Sequence, residues 1–195
     1  FFFFSVEGRT WVAMGDPVAA REEDRRELAW YFRSLCERHG GWAVFYQVHP
    51  DHLGLYLDLG LTLLKFGEEA RVRLADFSLE GKARKVMRNT LHRLEREGYR
   101  FAIVESAAVE ALSPQLRAVS EAWLAAKSGR ERRFSVGSFG EAYLRAGALA
   151  TVWRGERLAA FANLWQAGEE LSVDLMRYGP DGPSGRGPRR RPGPG

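Results

Sequence analysis

The sequence predicts a mixed α/β protein in which short strands alternate with amphipathic helices. Residues 42–48 are rich in aromatic and β-branched side chains, which is typical of a strand. Residues 21–39 and 81–97 carry apolar side chains at the spacing of one helix face. Residues 149–178 contain three apolar runs separated by glycine-containing turns, the pattern of an antiparallel meander.

Composition excludes several classes of protein. The chain has 195 residues, of which 45% are hydrophobic and 28% charged, and this is typical of one ordinary globular domain or two small ones. Cys36 is the only cysteine, so no internal disulfide can form, which fits a reducing compartment. No apolar run approaches the roughly 18 residues that a membrane-spanning helix needs.

Positive charge is unevenly distributed along the chain. The formal net charge is +4, but the tail from Gly179 onward holds four arginines against one aspartate. The rest of the chain is therefore nearly neutral. Any attraction to phosphate groups has to come from cations gathered on one part of the folded chain.

The first part of the chain predicts one α/β unit. Two strands joined by a tight turn come first, and a second turn leads to the helix of residues 21–39. After the strand at 42–48 we expect a short helical turn and two closing strands, 61–66 and 70–74. The helix is expected to bury one stripe of side chains, namely Leu28, Tyr31, Phe32 and Leu35.

A basic helix follows at residues 81–97, and Gly98 is expected to end it because glycine accepts the left-handed conformation. Two interpretations stay open: a solvated amphipathic helix, or a binding surface for nucleic-acid phosphates or anionic lipid headgroups. The apolar face consists of Ala83, Val86, Met87, Thr90, Leu91 and Leu94. The cations are Lys82, Lys85, Arg88, His92, Arg93 and Arg96.

The last part of the chain predicts a second unit. A strand at 99–104 comes first, followed by a helix with Ser113 as N-cap and Pro114 at its first position. A short helical turn at 139–144 precedes the meander. The side chains expected on the inward face of the helix are Leu116, Val119, Trp123 and Leu124. The three strands of the meander are predicted at 149–154, 158–166 and 170–178.

Four blocks of this sequence resemble a known family. They are FGEEARVRLADFSLEGKARKVMRNTLHRLEREGY, RFSVGSFGEAYL, AAFANLW and LSVDLMRY, in that order. The chain is similar over about residues 1–183 to the cytoplasmic synthase domain of bacterial phosphatidylglycerol lysyltransferases, also called multiple peptide resistance factors. The GEEA, FSLEGK, FSVG and DLMR strings carry the resemblance.

The resemblance implies two acetyltransferase-like (GNAT-like) units in tandem. The first would span residues 1–78, one strand short, and the second residues 99–178, with the helix of 79–98 between them. The family continues past the DLMR string with an apolar helix and a strand. This chain continues instead with the Gly/Pro/Arg segment 179–195, which we expect to be disordered, so the second unit is expected to be truncated and its activity weak or absent.

The resemblance also implies a reaction. It is transfer of a lysyl or alanyl group from aminoacyl-tRNA to the headgroup of phosphatidylglycerol, at the cytoplasmic face of the cell membrane. The partners would be aminoacyl-tRNA, phosphatidylglycerol and the anionic membrane surface. No metal or organic cofactor is expected.

Such a transfer must hold an ammonium group, stabilise an oxyanion and manage the proton of the attacking hydroxyl. The family motif assigns Asp174 to the ammonium of the donor and makes Arg177 a candidate for a phosphate. These two residues lie three apart on one strand, so they point to opposite faces unless a bulge intervenes. The alternative for Asp174 is a surface carboxylate or a structural ion pair, and the alternative for Arg177 is an ion pair with a neighbouring acid.

Other candidates come from the same blocks. Glu68 is a candidate base if it is buried, whereas an ion pair or a helix cap is the alternative. Phe134, Ser135 and Gly137 are expected to form either a pocket lined by backbone or a simple turn. The polyanion-binding candidates on the basic helix are Lys82, Lys85 and Arg88.

Two further functions stay open. A truncated chain could act only as a binding module without catalysis. An acyl-CoA-dependent N-acyltransferase is the other, because RYGPDGPSGRG faintly resembles a pyrophosphate-binding loop. Such a loop works at the start of a helix, and the residues from Pro188 onward cannot form one.

Overall fold

Runs of apolar and aromatic residues near the start of the chain form the first sheet. In this computed structural model, which describes residues 1–127, 134, 137–180 and 182–183, β1 (Phe3–Glu7) pairs antiparallel with β2 (Thr10–Met14). Gly8 makes the turn with a φ of +57°. β3 (Trp42–Tyr46) pairs parallel to β2, which gives the order β1-β2-β3.

The helix α1 (Glu22–Arg38) connects β2 to β3 and buries Ala29, Phe32 and Cys36. Phe32 lies in a cluster of rings with Phe2, Phe4 and Phe45. The prediction that Tyr31 is buried is wrong, because the face that meets the sheet runs through residues 29, 32 and 36. Leu28 and Leu35 flank that face and are half-buried.

A single-turn 3₁₀ helix (Pro50–His52) leads into α2 (Leu53–Asp58), which adds Leu55 and Tyr56 to the core, and Leu59 at the C-terminal cap joins them. The two closing strands predicted at 61–66 and 70–74 are wrong. Residues 61–73 form neither helix nor strand, and their large apolar side chains are mostly exposed. Strand propensity alone does not make a strand where no neighbouring strand offers hydrogen bonds.

The second sheet is an antiparallel meander with the order β4-β5-β6-β7. After a 3₁₀ turn (Lys82–Arg84) and α3 (Lys85–Arg96), Gly98 turns the chain with a φ of +82°. The strands are β4 (Tyr99–Val104), β5 (Ala148–Arg154), β6 (Arg157–Ala167) and β7 (Glu170–Tyr178). All lie within a residue or two of their predicted positions.

The helix α4 (Val109–Lys127) connects β4 to the short helix α5 (Glu141–Leu144). The prediction of Ser113 as its N-cap is wrong, because the helix begins at Val109 and contains Pro114 in its interior. Burial of Val109 explains the earlier start, since packing outweighs the preference of proline for the first turn. Ser113 Oγ instead donates to Glu141 Oε1 at 2.5 Å and ties α5 to α4.

One core underlies the second sheet. Helices α4 and α5 cover one of its faces, and the inward positions predicted for Leu116 and Val119 are confirmed. The core consists of Val109, Leu116, Val119, Leu144, Leu149, Trp153, Leu158, Phe161 and Leu175.

The chain divides into two compact units, Phe1–Arg71 and Val72–Gly195. Each unit contains one of the two sheets, so the predicted mixed α/β class is confirmed. The boundaries predicted at residues 78 and 98, and the tandem acetyltransferase-like arrangement, stay predictions. Among the described helices, none is both long enough and apolar enough to cross a membrane.

Candidate functional site

Asp174 lies at an irregularity of the β6–β7 pairing. Ala162 pairs with Met176, whereas Leu164 pairs with Val173. Asn163 therefore faces two residues of β7, Asp174 and Leu175, which is the pattern of a β-bulge. The bulge breaks the strict alternation of side chains along β7.

As a result, Asp174 and Arg177 lie on the same face of the sheet. Asp174 accepts a hydrogen bond from Tyr143 of α5, and the Arg177 guanidinium lies 4.1 Å from the ring centroid of Trp123 of α4. Both helices cover the face that carries the core residue Leu175. The structure thus brings together two residues that simple alternation would separate.

One oxygen of the half-buried Asp174 carboxylate receives two internal donors. Oδ2 accepts from the backbone N–H of Gly137 at 2.9 Å and from the hydroxyl of Tyr143. Among the described residues, none donates a hydrogen bond to Oδ1. The carboxylate is therefore fixed in orientation and keeps one oxygen available for a cation.

Tyr143 lies at the centre of a small polar cluster. Its oxygen also accepts from Trp165 Nε1 at 3.3 Å, and the two rings are 5.3 Å apart. Burial, followed by the hydrogen bond to Asp174, raises the pKa of the Tyr143 hydroxyl. Tyr143 therefore stays protonated at neutral pH and acts as a donor to the carboxylate.

Asn163 supports this cluster from the middle of β6. The residue is 2% exposed, and its Oδ1 accepts from the backbone N–H of Leu175 at 2.7 Å. That bond satisfies an amide that the bulge would otherwise leave unpaired. The asparagine therefore stabilises the backbone shape that presents Asp174.

Arg177 is 4% exposed. Its Nη1 donates to the carbonyl oxygen of Met176 at 3.2 Å, and its guanidinium stacks on Trp123. A cation in this position gains from the ring face when it is removed from water. Arg177 therefore connects the end of β7 to α4.

Gly137 is required by its close approach to the cluster. A Cβ atom at this position would lie 2.4 Å from the Tyr143 oxygen and 2.5 Å from Asp174 Oδ2. Such distances are far below van der Waals contact, so a side chain would displace the pair. The close packing thus explains why the FSVG string has a residue without a side chain at position 137.

Glu68 lies in the first unit, within the irregular stretch 61–73. Its side chain is 80% exposed and pairs with Lys65 at 2.6 Å, while Glu69 pairs with Arg71 at 3.0 Å. Both carboxylates are exposed, because the stretch 61–73 forms no strand that packs over them. Glu68 therefore does not meet the condition of burial and forms an ion pair, which was the alternative given for it.

The remaining predicted site residues lie elsewhere in the second unit. Lys82 and Lys85 are exposed at the start of α3, and Arg88 Nη1 donates to the carbonyl oxygens of Leu79 and Gly81. Phe134 is exposed, and Ser135 lies outside the described residues. Within the described part of the chain, no hydrogen bond, ion pair or ring contact joins Lys82, Lys85, Arg88 or Phe134 to the cluster around Asp174.

The sequence analysis did not assign Tyr143, Asn163, Trp165 or Trp123 to the site, although it placed Trp123 on the inward face of its helix. A signal existed for Asn163, because it is a polar residue in the middle of an otherwise apolar strand. Tyr143 carried no such signal, since its partner Asp174 is distant in sequence. Only the packing of α5 on the sheet reveals that pair.

Three comparisons bear on the family of the chain. The family model described as phosphatidylglycerol lysyltransferase, C-terminal, matches residues 1–186. Phosphatidylglycerol lysyltransferases of Bacillus subtilis and Staphylococcus xylosus are 36% and 32% identical to the chain, over 94% and 93% of its length.

Two solved structures are similar as well. One is the C-terminal domain of a protein from Agrobacterium fabrum described as a lysylphosphatidylglycerol synthetase, with a TM-score of 0.87 and 37% identity over 94% of the chain. The other is L-PGS from Bacillus licheniformis, with a TM-score of 0.83 and 34% identity over 94% of the chain.

The chain corresponds to a part of each relative. It spans 23% and 22% of the two curated relatives. It spans 58% and 59% of the two solved chains.

Proposed function

The chain belongs to the phosphatidylglycerol lysyltransferase C-terminal family, and on this basis we propose that it transfers an aminoacyl group to the headgroup of phosphatidylglycerol. The proposed donor is aminoacyl-tRNA carrying lysine or alanine. The proposed place of reaction is the cytoplasmic face of the cell membrane. The two sheets would then be two acetyltransferase-like units, with the boundaries predicted above.

The observation that carries the proposal is the geometry of Asp174. Its Oδ2 is held by Gly137 and Tyr143, and no described residue donates to its Oδ1. A carboxylate fixed in this way suits the ammonium group of an esterified amino acid, because charge-assisted hydrogen bonds are short and strong. We assign Asp174 to that group.

Tyr143 and Asn163 then act as positioning residues. Tyr143 donates to Asp174, and its raised pKa keeps the donor protonated through neutral pH. Asn163 holds the bulge that turns Asp174 toward the helices. The burial of Arg177 favours a positioning role over direct contact with a phosphate.

The proposed reaction exchanges one ester for another. A lipid hydroxyl oxygen forms a bond to the ester carbonyl carbon, the bond between that carbon and the ribose oxygen breaks, and the hydroxyl proton passes to the ribose oxygen. Both sides contain one ester and one hydroxyl, so the exchange needs no energy source. The main tasks for the protein are to hold the donor and to orient both reactants.

The test is an assay of the chain with lysyl-tRNA or alanyl-tRNA and phosphatidylglycerol vesicles, in which aminoacyl lipid is measured. We expect Asp174→Asn to lower kcat/KM about 10- to 100-fold, since the neutral amide cannot supply the negative charge that pairs with the ammonium, and a hydrogen bond to a charged group contributes about 1.5–3 kcal/mol. Asp58→Asn, at an exposed carboxylate of the first unit, is the control and is expected to be neutral. Absence of aminoacyl lipid with both donors would refute the proposed function.

A further inference from the structure

The apolar face of α3 is exposed. The side chains of the helix that point to this face are Val86, Met87, Thr90, Leu91 and Leu94, and no residue of α3 is buried. Thr90 and Leu94 are half-buried, whereas Val86 is 76% and Leu91 is 44% exposed. The helix contacts β4, yet that contact leaves much of its apolar face in water.

Apolar side chains are also exposed in the segment just before the helix. Val72 and Leu74 are exposed, and Phe77 is exposed beside Arg84, whose guanidinium lies 5.2 Å from the phenyl centroid. Arg88 ties this segment to α3 through the carbonyl oxygen of Leu79. The exposed apolar residues therefore extend along the segment and the helix that follows it.

Cations accompany these apolar residues. Residues 81–96 contain six lysines and arginines against the single acidic residue Glu95. Lys82, Arg84 and Lys85 are exposed at the same end of α3 as Val86. Within the described part of the chain, Lys82 and Lys85 have no ion-pair partner, so both charges are available to an external anion.

We infer that α3 and the segment before it bind the surface of an anionic bilayer, with Val86, Met87 and Leu91 inserted among the lipids. An interfacial helix gains both from burying apolar side chains at the headgroup boundary and from cations near anionic lipids. A nucleic-acid backbone would use the cations but leave the apolar side chains in water. The combination of exposed apolar and basic residues therefore favours a bilayer over RNA.

The bilayer that α3 would bind contains the lipid acceptor of the proposed reaction, so the inference rests on the proposed function in that respect. Its test does not depend on transfer, because it measures the binding of the chain to vesicles without any aminoacyl donor. A chain that binds vesicles but makes no aminoacyl lipid would refute the proposed function alone. A chain that makes aminoacyl lipid but binds vesicles independently of α3 would refute the inference alone.

The first experiment is co-sedimentation with vesicles of phosphatidylcholine, with or without phosphatidylglycerol. We expect binding that requires phosphatidylglycerol and weakens with salt. Lys82→Gln and Lys85→Gln are each expected to weaken it about fivefold. Lys65→Gln, which changes an exposed lysine of the first unit, is the control for charge and is expected to bind like the unchanged chain.

The apolar contribution needs its own pair of variants. Val86→Gln combined with Leu91→Gln is expected to weaken vesicle binding at least tenfold, since two apolar side chains lose their burial. Leu171→Gln changes a leucine of β7 that is 53% exposed; it is the matched control and is expected to bind like the unchanged chain. Equal binding by the double variant and the control would overturn the inference, as would failure of the unchanged chain to bind phosphatidylglycerol vesicles.

A spectroscopic measurement locates the insertion. Cys36 is buried and therefore protected from thiol reagents. A thiol introduced by Val86→Cys can then be labelled selectively with an environment-sensitive fluorophore. We expect a blue shift on phosphatidylglycerol vesicles, and no shift for a label introduced by Leu171→Cys. The opposite outcome is that uncharged bulk tRNA binds the chain, that the lysine variants weaken this binding, and that vesicles cause no fluorescence shift. In that case α3 binds RNA and the inference is wrong.

Discussion

At the scale of single residues, Gly137 and Asp174 show how closely the proposed site is packed. The Gly137 backbone donates to the carboxylate at 2.9 Å, and the position of its missing side chain is occupied by Tyr143 and Asp174. The contact between the Gly137 backbone and the Asp174 carboxylate therefore leaves no room for an added atom unless Tyr143 and Asp174 move.

We predict that Gly137→Ala displaces the Tyr143–Asp174 pair. The free energy of unfolding should fall by about 1–3 kcal/mol, which is typical of overpacking, and the KM for the aminoacyl donor should rise. Chemical denaturation and the transfer assay measure the two effects.

The control is Gly140→Ala, because a Cβ atom there would lie 3.9 Å from Tyr143 Cβ, which is ordinary van der Waals contact. This variant should behave like the unchanged chain. Equal effects of the two substitutions would show that the tight packing around Gly137 has no special role.

At the scale of elements, the bulge in β7 decides which side chains share a face. Asn163 Oδ1 binds the Leu175 amide at 2.7 Å from within the buried strand β6. Without that acceptor, the amide would be buried and unpaired, which costs about 1–3 kcal/mol.

We therefore predict that Asn163→Ala destabilises the second unit by about 1–3 kcal/mol and raises the KM for the aminoacyl donor, because the bulge relaxes. Residue-resolved hydrogen exchange should show faster exchange of the Leu175 amide. Asn89→Ala, at an exposed asparagine of α3, is the control. Unchanged protection at Leu175 in the Asn163 variant would contradict this explanation of the bulge.

The same scale shows where sequence patterns succeed. The meander of β5, β6 and β7 could be predicted because its alternation and its turns are local features. The start of α4 could not, since burial of Val109 decides it and the cap chemistry of Ser113 does not. The missing strands at 61–74 had the right residue types but no partner strand.

At the scale of the whole molecule, titration of the buried Tyr56 makes the free energy of unfolding depend on pH in the alkaline range. Burial and the hydrogen bond to Asp16 raise the pKa of Tyr56 above its usual value of 10.0. The folded state therefore holds this proton more tightly than the unfolded state. The stabilisation is complete below pH 10 and is lost as the pH rises beyond it.

We predict that the free energy of unfolding of the first unit falls by up to about 1.4 kcal/mol per pH unit above about pH 10 owing to Tyr56. Denaturation of the unchanged chain and of Tyr56→Phe at several alkaline pH values measures that slope. Tyr56→Phe should be less stable at neutral pH and should lose less stability on alkalinisation. Tyr31→Phe, at an exposed tyrosine, is the control, and an identical slope for all three proteins would exclude this role of Tyr56.

The sequence by itself determined the α/β class, the positions of the main helices and most strands, and the family, because local periodicity and specific strings such as DLMR are properties of neighbouring residues. Only the tertiary structure decided that Asp174 and Arg177 share a face, that Tyr143 donates to Asp174, and that the apolar face of α3 is exposed. These facts depend on the register of paired strands and on the packing of distant segments. Neither is encoded in the spacing of adjacent residues.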